Sequence, residues 1–221
     1  LLINLIGGRI IPGFTRNWLT RQGSDPQRRV VSLPPPFGRL DLFATWLLVG
    51  FAIAQVVGAP SRGTVLLGLF ASVVMFVRLT RWQGIYTGDE PLVWVLHIGF
   101  SWLPLGIMLL AFSALWLLPR SAGIHALTSG GIATMIVAVA SRAALGHTGR
   151  PLRSHPLLTA AYFLITIAAV CRVAATAGPG ARVLLIVSAF AWTLGFLCFG
   201  LRYAPILLRP RVQRPGSLPT V

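Results

Sequence analysis

HALTSGGIATMIVAVASRAALGHTGRPL, residues 125–152, is a stretch of mostly apolar or small residues with a histidine towards each end. His125 and His147 lie twenty-two positions apart, which on a helix is about 33 Å, roughly the hydrocarbon thickness of a bilayer. At about 100° per residue, the second imidazole returns to within about 40° of the first. The spacing predicts a membrane-crossing helix with an ionisable, metal-competent side chain at each face, both on one side.

Similar runs recur on either side of this stretch. With 55% hydrophobic residues, 10% charged residues and a mean hydropathy of +0.78, the composition excludes an ordinary soluble domain. The reading is an all-α, polytopic transmembrane bundle with six predicted spans, at about 40–58, 64–82, 91–118, 122–145, 157–177 and 182–208. Pro104 is expected to kink the third. Residues 1–39 are read as a helix remnant at Leu1–Ile6 followed by a basic, Pro- and Gly-rich connector, semi-extended over 7–39. Residues 209–221 read as a disordered polar tail. The chain opens on LLINLIGGRIIP without an initiator Met, so it is expected to be the C-terminal part of a longer protein.

The net charge of +15 comes from nineteen arginines and no lysine, set against four acids. A nucleic-acid binder would gather such charge on one polar face, so no nucleic-acid partner is expected; here the arginines punctuate apolar runs. If the connector is cytoplasmic, fifteen arginines fall on the cytoplasmic side, and only Arg62, Arg120, Arg172 and Arg182 fall on the other. That bias predicts both ends of the segment in the cytoplasm. The two cysteines, Cys171 and Cys198, lie in different apolar runs and offer neither a disulfide framework nor a CxxC motif. No repeat relates the first three spans to the last three.

Chemistry has few residues to work with. Asp25, Asp41, Asp89 and Glu90 are the whole acid set, all at or outside predicted helix ends. Paired general acid–base work and acidic proton wires in the membrane are therefore not expected. His97 shares a helical face with Trp94 and Ser101, and Met108 returns to that face. Imidazole suits haem iron, copper and zinc, and a thioether suits low-spin haem or Cu(I). Two readings of His97 stay open: a ligand, or a histidine hydrogen-bonded between helices. The same pair applies to His125 and His147, while His155, before Pro156, reads as solvated. Arg78 and Arg142, just inside their spans, could pair with anionic groups or snorkel to headgroups. Gly130, Thr134 and Ala138, four apart, predict close helix–helix contact.

Taken together, GGRIIPGFTRNWL (7–19), EPLVWVLHIGFSWLPLG (90–106), residues 125–152 and RYAPILLRPR (202–211) resemble the NnrS family of bacterial membrane proteins. The His125–Arg150 block is the most specific part, and helix 5 is generic. The resemblance implies about twelve spans in the intact protein, of which these would be the C-terminal half. It implies an inner-membrane protein containing haem and copper, linked to denitrification and to protection from nitric oxide and nitrosative stress. The expected partners are the lipid bilayer, the N-terminal half of the same protein and nitric oxide. An alternative is a haem oxidoreductase fed by quinol; another is a carrier with structural histidines.

On this reading His97 and His147 lie towards the cytoplasmic leaflet and either could reach a haem axially, with Arg142 or Arg150 near its propionates. His125, about 33 Å from His147 along a straight helix, belongs to a second site near the outer face, where copper is expected.

Overall fold

Helices begin where the sequence supplies a cap. Ser61 Oγ accepts the Thr64 N–H at 3.1 Å, and Glu90 and His155 each cap a helix whose first residue is proline, Pro91 and Pro156. The computed structural model describes residues 1–22, 32–58, 61–176, 178 and 180–212. Within them a π-helical turn, Ile3–Gly7, runs into α1 (Gly8–Gln22). There follow α2 (Arg39–Val57), α3 (Arg62–Thr80), a 3-10 turn (Gly84–Thr87) and α4 (Pro91–Ser113). Then come α5 (Arg120–His125), a second π segment (Ala126–Ile132), α6 (Ala133–His147), α7 (Pro156–Ala174) and α8 (Ala181–Leu208). With α5 to α6 taken as one 28-residue helix, six helices are long and apolar enough to cross a membrane. The all-α, six-span reading holds.

Four expectations change. Residues 8–22 are helical rather than semi-extended, and α1 packs along α4 instead of trailing away. Pro12 sits buried inside it, five residues beyond the π-helical turn that ends at Gly7. The third span stops at Ser113 rather than 118, and Trp116 turns the chain with φ 59°. The fourth runs from Arg120 to His147, but its π segment breaks the 100° step, so the same-side relation of His125 and His147 derived from a straight helix no longer follows. The start of the tail is placed: Val212 N–H donates to Thr148 O at 3.0 Å. Residues 213–221, the middle of the connector with Asp25, and positions 59, 60, 177 and 179 lie outside the described residues.

Close packing replaces the hydrophobic effect as the cohesive force, because lipid tails are as apolar as leucine. A Cβ on Gly130 would lie 2.2 Å from the Trp102 ring, and one on Gly99 2.9 Å from Met135 Sδ. The expected small-residue contact is therefore real, and α4 is its partner. Ile3 reaches the level of Gly131 and Trp102, Gly7 that of Phe100, Thr15 that of His97. Together the first π turn and α1 run antiparallel to α4, from deep in the bundle out to its end: a half-span, made of residues read as remnant and connector.

Candidate functional site

Consecutive antiparallel spans bring one end of α2, α3, α4, α6, α7 and α8 together, and α1 comes down among them. Asp41 stands in the first turn of α2 and Arg78 in the last turn of α3, so both fall at this end. Arg78 Nε donates to Asp41 Oδ1 and Nη1 to Asn4 Oδ1. Asn4 in turn donates to Thr45 Oγ1 at 2.9 Å, and Thr45 to Asp41 O at 2.7 Å. Asp41 Oδ2 accepts the Gly38 N–H at 2.8 Å. The guanidinium lies 5.1 Å from the Trp82 ring centroid and 5.6 Å from that of Phe100. Gly8 makes room for it: a Cβ there would be 1.8 Å from Nη2, which itself has no acceptor among the described residues. Arg78 is 1% exposed, so it neither snorkels nor stands ready for a propionate.

One and a half turns into α4, His97 is buried. Its Nδ1 lies 3.2 Å from Val93 O and its Nε2 3.3 Å from Thr15 Oγ1. A carbonyl can only accept, so Nδ1 carries the proton in the neutral ring. Nε2 then accepts, and the Thr15 hydroxyl proton is shared between it and Ile11 O at 2.9 Å. Gly84 presses on the ring, where a Cβ would come within 2.4 Å of Cδ2. Nδ1–H on a backbone carbonyl is the usual way a ligating histidine is oriented, but here Nε2 faces a hydroxyl of α1.

Arg142 donates from Nη1 to Leu92 O at 3.3 Å and lies 3.9 Å from the Phe14 ring centroid, with Nε unpartnered among the described residues. Arg150 Nη1 donates to Ile206 O at 3.2 Å, and Tyr203 donates to Ser141 O at 3.1 Å. His147 is exposed at the end of α6. No hydrogen bond or ring contact joins His147 to His97 among the described residues. At the other end of the bundle, His125 is half-buried, in electrostatic reach of Arg172. His155 is exposed, and its Nδ1 accepts the Leu157 N–H at 3.2 Å.

The structure thus brings His97, Arg142 and Arg78 into one polar layer threaded by α1, and leaves His125 and His147 as separate single imidazoles. Among the described residues no three His, Cys, Asp or Glu side chains are grouped to hold a metal ion. Sequence reasoning missed Asn4, Thr15 and the Asp41–Arg78 pair. Each member of the pair was visible, an acid and an arginine at the same end of neighbouring spans, but not their contact.

A multi-pass helical membrane protein with its buried ionisable side chains, Asp41, Arg78, Glu90 and His97, gathered near one end is the class that this fold defines. The chain belongs to the NnrS family, whose profile, described as NnrS protein, matches residues 1–211. No curated protein and no solved structure matches it.

Proposed function

We propose that this protein acts in the bacterial inner membrane in the tolerance of nitric oxide and nitrosative stress during denitrification, as a haem- and copper-binding member of its family. The family match over residues 1–211 carries the reading. Since the described residues supply single imidazoles rather than a closed ligand set, haem and copper are completed by groups from the N-terminal half of the same protein. His147, exposed beside Arg150 at one end, is the haem-side ligand offered by this segment. His125, at the opposite end, is the copper-side one. His97, whose two ring nitrogens are occupied by Val93 O and Thr15 Oγ1, positions α1 against α4 and is read as structural.

The test is His→Ala at 97, 125 and 147 in the full-length protein, with haem spectra, copper analysis and unfolding temperatures. His147→Ala is expected to lower haem and spare copper, and His125→Ala to do the reverse. His97→Ala should lower the unfolding temperature first, with haem lost only in proportion. Loss of both cofactors in all three variants at normal stability would mean one coupled centre and would sink the two-site reading. Purified full-length protein without a Soret band would remove the haem altogether and leave the carrier reading.

A further inference from the structure

Where α1 ends and α4 and α7 begin, a cleft of about 810 Å³ opens, lined on one side by Trp18, Arg21 and Gln22 and on the other by Arg153, Ser154 and His155. Pro91 and Pro156, the first residues of α4 and α7, form its floor with Glu90. Both helices are candidate spans, so the cleft lies at the level where spans meet the membrane surface.

The hydrogen-bonding groups around it are unbalanced. Glu90 Oε1 is taken by the Leu92 N–H at 3.1 Å, and Asp89, which also lines the cleft, is partnered as well. The donors are not taken up. Trp18 Nε1–H is buried with no acceptor among the described residues. The Arg21 and Arg153 guanidiniums are exposed, and neither is hydrogen-bonded among the described residues. His155 spends Nδ1 on its cap, which leaves Nε2–H as a donor. Arg142 lies in electrostatic reach of both Glu90 and Arg21. Two helix N-termini, each with its positive dipole end, add to the same sign.

We propose that this cleft binds a phosphate group, held by Arg21 and Arg153 with His155 Nε2–H as a third donor. Guanidinium forks match phosphate oxygens in pairs, and an imidazole N–H adds a single donor. At about 30 Å³ per water, the volume is that of more than twenty waters, far larger than a phosphate alone. Trp18, Leu152 and Pro156 give the remainder an apolar wall suited to the first carbons of a phospholipid's acyl chains. A free phosphate shares the donor chemistry and is the other source.

The experiment uses delipidated full-length protein and native mass spectrometry with three probes: short-chain phosphatidylglycerol, inorganic phosphate, and short-chain diacylglycerol, which lacks the phosphate. Binding of phosphatidylglycerol is expected, at least about tenfold weaker in Arg21→Gln/Arg153→Gln, as loss of a charged hydrogen bond predicts. It should be unchanged in Arg120→Gln, which removes a charge from the opposite end. His155→Asn keeps an acceptor for the helix cap, removes the Nε2–H donor and should weaken binding by a smaller factor. Displacement of the lipid by inorganic phosphate at low millimolar concentration would assign the site to the free anion and support the same chemistry. Equal retention of diacylglycerol, or binding unaffected by the double variant while the protein remains folded, would overturn the proposal.

Discussion

Arg78 shows what one residue must satisfy inside a bilayer. A guanidinium has five N–H donors and no acceptor, and here Asp41 and Asn4 take two of its three nitrogens while Trp82 and Phe100 face its plane. Removing one partner is far worse than removing both, because it strands a charge. Asp41→Asn is therefore expected to cost about 3–5 kcal/mol, read as a loss of unfolding free energy of the full-length protein in detergent. The double change Asp41→Leu/Arg78→Leu should cost less than the single one. If the double variant is the weaker, the pair is not a charge-compensating unit. The acid and the arginine were visible in the sequence, but their meeting depends on antiparallel order, which hydropathy does not report. Asn4 was invisible for another reason: a single amide in LLINLIGG carries no periodic signal.

At the scale of elements, hydropathy found the six long helices to within a few residues of their observed ends, because length and apolar composition alone distinguish a span. It missed α1, whose arginines, glycine and internal proline argue for a loop in water. Packing overrides that composition: Ile11, Thr15 and Leu19, four apart, are all buried on one stripe. The second π segment was missed because i→i+5 bonding has no residue signature in ALTSGGI. What the sequence did report was the small-residue seam, and it can be tested. Gly130→Ala drives a methyl into the Trp102 ring and should cost about 1–3 kcal/mol, seen as a lower unfolding temperature. Adding Trp102→Leu should restore much of the loss. A neutral Gly130→Ala would mean that α4 and the π segment sit further apart than described.

For the whole molecule, the arginine bias predicts that the end holding Asp41, Arg78 and His97 faces the cytoplasm. Single cysteines at Ser61 and Ser121, on the opposite loops, should then react with an impermeant maleimide from the outer side of intact cells. Labelling only after lysis reverses the orientation. The candidate site was the least legible part. Residue types named His97, His125, His147, Arg142 and Arg150, but which of them share a space depends on α1 and on the π segment, neither of which the sequence reveals. Because no closed ligand set is present among the described residues, residues 1–221 expressed alone should bind haem poorly or not at all. Full haem and copper occupancy in residues 1–221 would show that the site needs nothing beyond them.

The half-span α1 also sets an order of assembly. Its contacts with the bundle, and those of the π turn before it, are with residues made much later: Asn4 meets Arg78 across 74 positions, Thr15 meets His97 across 82, and Phe14 waits for Arg142. At roughly 5–20 residues per second, that wait is on the order of ten seconds. During it, α1 carries Arg9, Arg16 and Arg21 with no groove to enter, and α3 holds Arg78 without Asn4. The groove closes around α1 only after α6 has been inserted. The helix synthesised first in this segment is thus among the last to be seated, and ribosome pausing before α6 would prolong the most fragile moment in the life of the protein.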